Sequence, residues 1–432
     1  MITNRPYQDK AISAAMAATN GVCVLPTGSG KSVICAGIVA ASGGKTLVLQ
    51  PSLEILQSNV AKARLLGMDP AIYSASAGEK NAGKITYATI GSIIKKLDLF
   101  AGLENLIIDE CHLVNAKGGM YEKLIAELKP GRLIGLTATP YRLSTSSYGS
   151  SMKILTRTRP KIFSDILHVS NPSELIADGY LLEPEFISHQ CDESMLKINS
   201  TGAEFTGASQ EQFARRNNMG KRMADAVTST GKRHILGFCD SVAESVALAA
   251  NLNAMGIPAA EINANTDKKT RAKNLQRFES GEIRVMCNVG TLTTGYDFPA
   301  LDCIIDGAAT MSAALHYQKI GRVVRPYPGK SPIVYDLAGN VKRLGNPLRY
   351  TMLKTATGNG YEVYSEIGRV TTRIMAPCPE HETKITFGKY SGKLLADVDD
   401  GYVEWGSREL KGENRHLFYA ELMRRRLFSC AA

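Results

Sequence analysis

The sequence predicts an α/β protein: two tandem, doubly wound parallel-sheet lobes followed by a small α+β module. Three observations carry this expectation. Apolar strand-like runs alternate with helix-like stretches through two long segments, residues 1–142 and 231–345. The first such run, Val22–Leu25, breaks into the glycine-studded loop PTGSGKS and then into a helix-like stretch from Ser32 onward. After about residue 345 the alternation stops, and a linker over 346–383 leads to a short tail over 384–432.

In the first segment the core strands are expected at Val22–Leu25, Thr46–Gln50, Lys84–Ala88, Leu106–Asp109 and Arg132–Leu136. The second repeats the pattern at His234–Phe238, Ala259–Ile262, Val285–Cys287, Cys303–Ile305 and Ile333–Asp336, wound by helices such as Ser241–Met255 and Lys268–Ser280. Between the segments, residues 143–230 turn polar and basic, as a connector or accessory insertion would.

Composition bounds the function. The chain has 432 residues, 44% hydrophobic and 21% charged, which suits two or three globular domains. No apolar run reaches the roughly 18 residues of a membrane helix, and the polar start MITNRPYQDK has no export-signal core. Nine cysteines without a C-x-x-C pair argue against zinc and disulfides and for a reducing compartment, the cytoplasm. A formal charge of +10 points mildly to a polyanionic partner.

The chemistry begins in the loop Thr27, Gly28, Ser29, Gly30. Backbone N–H groups at the start of the following helix can cradle phosphates, with Lys31 reaching the β- and γ-phosphates and Ser32 ligating Mg²⁺. Leu25 stands where the strict G-x-x-x-x-G-K-[ST] pattern has glycine, so a glycine turn beside a surface lysine is the alternative. Leu106-Ile107-Ile108 then runs into Asp109-Glu110-Cys111-His112. An aspartate at the carboxyl end of a neighbouring parallel strand sits where Mg²⁺ must be held, and Glu110 is placed to act as general base.

Seven segments appear in the order used by superfamily 2 helicases: RPYQ from Arg5, PTGSGKS, LVLQPSLEIL, DECH, LTATPYR, NVGTLTTGYDFP and YQKIGRVVRP. The pattern resembles most the DEAH-like branch of type I restriction motors, excision-repair helicases and phage helicases, over about residues 1–345. The resemblance implies two RecA-like domains with ATP and Mg²⁺ in the cleft between them. It places the Gln8 amide on adenine, with Arg5 or Tyr7 flanking the base. His112, Thr137 and Thr139 would couple phosphate state to the interface, and Gly295 and Asp297 would make ribose and interdomain contacts. Gln318, Arg322 and Arg325 match Q-x-x-G-R-x-x-R; a helix over 312–325 puts the arginines on one face, reaching the γ-phosphate on closure.

By the same resemblance, nucleic acid, most simply DNA, lies across both domains. Its candidate contacts are Pro51, Ser52, Thr89, Ser92, Lys95, Lys96, Thr291 and Thr293. Arg157, Arg159, Lys161, Arg215 and Arg216 could line a duplex-gripping element or a solvated linker. The expected setting is the nucleoid or an infected host's cytoplasm, in replication or recombination. The tail motif FGKYSGK resembles the C-terminal module of exodeoxyribonuclease X-type proteins. Lys389, Tyr390 and Lys393 would form an aromatic-plus-basic hairpin that binds nucleic acid or docks replication proteins, with Trp405 packing the small core. Phage-type helicases often end in a cysteine-rich zinc ribbon; Cys378, alone in APCPEHE, does not make one.

Overall fold

The computed structural model describes residues 3–425 except 117, 147–148, 201–203, 294, 355–360, 367, 370–373, 376–383, 411–413, 415–417, 419–420 and 423–424. Cys378 lies outside the described residues.

Strands β1 (Asn20–Val24), β2 (Thr46–Gln50), β3 (Ala71–Ser74), β4 (Glu79–Lys80), β5 (Ile85–Thr89), β6 (Asn105–Asp109) and β7 (Arg132–Thr137) build the first sheet. A hairpin, β8 (Tyr141–Ser146) and β9 (Gly149–Ile154), follows, and β10 (Ile166–Val169) returns to the first sheet beside β1. Its order is β10-β1-β7-β6-β2-β5-β3-β4, parallel except for β4 against β3. The second sheet joins β11 (Glu185–Ser188), β12 (Ile235–Phe238), β13 (Ala259–Ile262), β14 (Val285–Asn288), β15 (Cys303–Asp306) and β16 (Ile333–Asp336). Its order is β11-β16-β15-β12-β14-β13, parallel throughout.

The physical reason for two-sided burial is visible in β2 (TLVLQ) and β6 (NLIID). Every residue of both is buried, because helices cover both faces of the sheet. Each run ends in a polar residue, Gln50 and Asp109, at the carboxyl edge where βα loops gather.

The segment expected as a connector is woven into both lobes. β10 extends the first sheet and β11 pairs with β16 in the second. Phe213, Met219 and Met223, on helices Gly207–Arg216 and Met219–Ser229, lie in the second lobe's core. Residues 346–383 also carry structure: β17 (Thr351–Lys354), β18 (Tyr361–Ser365) and β19 (Gly368–Arg369) form an antiparallel sheet, and β20 (Ile374–Met375) pairs with β9. Tyr350, Met352 and Val363 pack into the first lobe's core with Tyr141. The chain thus crosses between lobes twice, outward over 170–184 and back after Leu344. The crossings touch through Leu175 and Leu348 in one apolar cluster and through the Arg349–Glu183 ion pair.

The tail has its own small core of Ile385, Leu395, Val398, Val403, Phe418 and Leu422. Instead of a hairpin ladder, its FGKY segment is a 3₁₀ turn, Gly388–Tyr390, inside a single antiparallel bridge, Lys384 to Leu394. Trp405 is not in this core. It is 44% exposed, because Phe418 occupies the helix face at Gly406, where a Cβ would lie 2.0 Å from the phenyl ring. Among the described residues, no helix is long and apolar enough to cross a membrane.

In the second lobe the crevice at the sheet's carboxyl edge is filled from within. Lys319 Nζ, buried, donates to Asp306 Oδ1 at 2.7 Å and to the Ala308 carbonyl at 3.1 Å. Asn340 Nδ2 donates to Asp306 Oδ2 at 3.0 Å. His316 is buried beside this pair, and burial pushes its imidazole down from 6.5 to about 4. The folded lobe therefore resists a proton that the unfolded chain takes up below about 6.5, so this group's contribution to stability is lost as pH falls from about 6.5 to 4. His316→Phe is expected to lose less stability over that window than the parent, by up to about 3 kcal/mol at ~1.4 kcal/mol per pH unit. Urea denaturation at pH 7 and pH 4.5 measures it; equal losses in both proteins contradict the assignment.

Candidate functional site

The loop after β1 is shaped for phosphate. Gly28 and Gly30 sit at φ +85° and +79°, a left-handed region open to glycine, and Gly30 caps the helix Lys31–Ala41. The Ser29 N–H donates back to the Pro26 carbonyl at 3.1 Å, which tightens the loop, and the positive end of the helix dipole lies at its exit. Lys31 Nζ lies 2.8 Å from Glu110 Oε1, both largely sequestered from solvent. Glu110 takes φ +49°, unusual for a side-chain-bearing residue, and this turn aims its carboxylate back at Lys31.

Charge in this pocket is partitioned. Burial alone raises the Glu110 carboxyl, but the Lys31 ammonium and His112 outweigh it and hold the group well below the usual range. Burial and the adjacent Glu110 charge push the Asp109 carboxyl up. Asn59 Nδ2, from helix Leu53–Leu65, donates to Asp109 Oδ2 at 2.9 Å, and the Glu110 backbone N–H donates to Asp109 Oδ1 at 2.9 Å. His112 Nδ1 sits 3.3 Å from Glu110 Oε2 and 2.9 Å from Thr137 Oγ1, which accepts from the Thr139 N–H at 3.1 Å. Glu110, His112, Thr137 and Thr139 thus form one continuous line.

The second lobe closes over this loop. At Gly321 a Cβ would lie 2.5 Å from Thr27 Cβ, and at Gly28 one would lie 3.1 Å from Arg325 Cγ. Tyr317 inserts its ring into the first lobe's apolar cluster, with its phenol facing the Thr27 backbone. Arg322 is buried: Nε and Nη2 donate to the Thr293 carbonyl at 3.0 and 2.6 Å, and Nη1 donates to the Tyr296 carbonyl at 2.7 Å. Burial and Arg325 lower its guanidinium to about 9, still charged at neutral pH. Arg325 pairs with Asp297 at 2.5 Å.

Two family descriptions match the chain in tandem: "Type III restriction enzyme, res subunit" over residues 1–142 and "Helicase conserved C-terminal domain" over 220–327. The chain belongs to helicase superfamily 2. A "51.5 kDa protein" of a Lactococcus phage is 24% identical over 325 residues, covering 74% of this chain and 66% of its own. A "Putative DNA 3'-5' helicase Rad25" of Halobacterium salinarum is 25% identical over 348 residues, covering 77% of this chain and 54% of that one. The chain thus spans about half to two-thirds of these relatives. Among solved structures, the "ATP-dependent Type ISP restriction-modification enzyme LlaBIII bound to DNA" superposes with a TM-score of 0.60 at 16% identity, over 78% of this chain and 28% of that one.

In this superfamily 2 chain the ATP-site residues expected from sequence converge, with differences in detail. The helix expected over 312–325 runs only Ala313–Ile320 and is capped at Gly321, where the close approach to Thr27 leaves no room for a side chain. Arg322 and Arg325 meet instead in the turn beyond it, both on the Tyr296 carbonyl. The Gln8 amide makes one hydrogen bond through each of its polar atoms, which leaves each a second for a ligand. Its Oε1 accepts from the Arg5 N–H at 2.9 Å and its Nε2 donates to the Ser29 carbonyl at 3.1 Å, bracing the phosphate loop. Arg5 lies over the Tyr180 ring, 4.7 Å from its centroid. Gly295 meets Ser52, Ile55 and Glu54 of the first lobe, so it makes an interdomain contact. Gln318 is half-buried on the helix flank.

The expected nucleic-acid contacts are more mixed. Lys95 and Lys96 are exposed. Ser52 Oγ is engaged as a helix cap, accepting from the Ile55 N–H at 3.4 Å, next to Pro51. Thr89 and Ser92 hydroxyls bond each other at 2.8 Å. Thr293 is buried and donates to the Gly290 carbonyl at 3.1 Å, and Thr291 donates to the Ile262 carbonyl at 3.3 Å, so both hydroxyls serve the loop itself. Three residues escaped sequence reasoning: Asn59, Tyr180 and Tyr317. Asn59 falls on the buried stripe of its helix with Leu56 and Val60, and a polar residue in such a stripe was the one available signal.

A γ-phosphate bound at Lys31 would have to displace Glu110. Glu110→Gln removes that competing charge, so ATP affinity is expected to rise several-fold. Titration with a fluorescent ATP analogue measures it; weaker binding than the parent contradicts the competition.

Proposed function

We propose that this chain is an ATP- and Mg²⁺-dependent motor that couples hydrolysis to unwinding or remodelling of DNA, in replication or recombination. One observation carries the reading: a phosphate-cradling loop with a lysine–glutamate pair faces two arginines delivered by a second lobe packed against it. The Rad25 relative's name specifies DNA, and the LlaBIII structure was solved bound to DNA, which supports DNA as the polymer.

The loop N–H groups of 27–32 and the Lys31 ammonium bind the triphosphate. The donor set fits Mg²⁺: Asp109 is a buried carboxylate already oriented by two donors, and Ser32 offers a hydroxyl in the first turn of the helix after the loop. Bound there, the ion would neutralise phosphate charge and polarise the phosphoryl group. Glu110, released from Lys31, accepts a proton from the attacking water. Arg322 and Arg325 leave the Thr293 and Tyr296 carbonyls and meet the charge that develops on the equatorial oxygens. Such guanidinium groups are worth about 10³–10⁵ in rate. Closing and opening of the cleft would shift the first lobe's phosphate grip at Lys95 and Lys96 relative to the second lobe.

Lys31→Ala and Arg322→Ala are each expected to reduce DNA-stimulated phosphate release by at least about 10³-fold, the latter with ATP binding retained. A panel of single-stranded, duplex and forked DNA and RNA, read by ATPase and strand displacement, tests the whole. Hydrolysis stimulated by duplex without displacement assigns translocation instead of unwinding, and stimulation by RNA alone overturns DNA as the polymer.

Asn59 is a positioning residue in this scheme, since it acts through its hydrogen bond to Asp109. Asn59→Ala is expected to raise the Mg²⁺ concentration needed for half-maximal binding of a fluorescent ATP analogue about 10-fold, as losses around metal sites do. Binding without Mg²⁺ is expected to stay as in the parent. An unchanged Mg²⁺ midpoint contradicts the role.

A further inference from the structure

We infer that the C-terminal module carries a stacking platform for single-stranded nucleic acid, centred on Trp405. This rests on the motor reading and extends it to a second site outside the cleft. Trp405, the chain's one tryptophan, lies on helix Asp400–Glu409 with 44% of its surface exposed. The module's core closes without it, through Phe418 and Val403. An indole of this size left in water while a core is built beside it is a feature that folding does not require.

The surroundings define what would cover it. Trp405 stacks on Tyr402, ring centroids 5.0 Å apart at 27°, and Tyr402 meets Tyr390 edge-on at 4.7 Å. These rings hold the indole from one side, so its orientation is set before any ligand arrives. Two ammonium groups rim the rings. Lys389 Nζ lies 4.7 Å from the Tyr390 centroid and 5.4 Å from that of Tyr402, and Lys393 Nζ lies 5.5 Å from that of Tyr390.

Of the carboxylates near the rings, Asp399 accepts from the Tyr390 hydroxyl and from the Tyr402 N–H, while Asp400 and Glu421 pair with Arg425. On the helix of Trp405 itself, Arg408 and Glu409 are exposed one turn along, charges of opposite sign. The cationic side of the rim is therefore the one that Lys389 and Lys393 supply. A flat π-face bordered by cations complements an unpaired base with its flanking phosphates, and such stacking tolerates any base because each has a π-face. A duplex keeps its bases stacked on each other and has no free face to offer, so the ligand class is single-stranded.

Because Trp405 is the sole tryptophan, its emission reports this site alone. The full-length chain, without nucleotide, is titrated with oligothymidylate of about 15 nucleotides, while anisotropy of the labelled oligonucleotide records total binding. Saturable quenching of Trp405 with the same midpoint as the anisotropy is expected. In the double variant Lys389→Gln/Lys393→Gln, both exposed positions, the midpoint rises and the slope of log K against log salt shrinks by about 1.4, at ~0.7 per contact. Emission that stays flat while anisotropy saturates overturns the platform and leaves the motor reading standing. Absence of binding by both measures, together with no ATPase stimulation by DNA, overturns both.

Discussion

The resting state of this molecule depends on an ion pair that substrate must break. Lys31 and Glu110, 2.8 Å apart and shielded from water, satisfy each other across the phosphate loop. A buried charge is costly unless partnered, so the lysine that would meet a γ-phosphate needs a stand-in, and Glu110 supplies it. The same logic governs the other lobe. Arg322 spends its donors on the Thr293 and Tyr296 carbonyls, and Arg325 rests on Asp297. Every charge that the proposed chemistry uses is held by a partner that a triphosphate could replace, so triphosphate binding, base release and arginine transfer become parts of one exchange.

Much of this was legible in the sequence because it is local. PTGSGKS, DECH and the strand runs feeding them place their side chains through a turn or a strand end a few residues away. The parallel-sheet architecture follows from periodicity for the same reason, since buried runs such as TLVLQ and NLIID have few other uses. What escaped depends on contacts distant in the chain. Position 321 has to be glycine because Thr27 of the other lobe stands against it, and nothing in YQKIGRVVRP announces that neighbour. Gln8 turns to Ser29, Asn59 to Asp109 and Tyr317 to the first lobe's core for equally non-local reasons. Trp405 was misplaced because size argues for burial, whereas Phe418 had already taken the helix face at Gly406.

The two lobes share a fold and differ at the place where a ligand would sit. In the first, the carboxyl edge of the sheet is lined by glycine, lysine and carboxylates and is covered by the second lobe. In the second, Lys319 reaches into the equivalent edge and binds Asp306, with Asn340 completing the set. Lys31, paired with Glu110 in one lobe, thus has a counterpart in Lys319 that fills the equivalent edge in the other. In the proposed scheme this asymmetry leaves the triphosphate to the first lobe and the arginines to the second.

The paired crossings, joined by Leu175, Leu348 and the Arg349–Glu183 contact, have a mechanical corollary. One strap would let the halves swivel freely. Two straps sewn together behave like the spine of a book, where pages turn but do not slide past their margin. Residues at that spine shift little, whereas those at the fore-edge sweep the widest arc. Stiffening the seam would therefore slow the turning without touching the print.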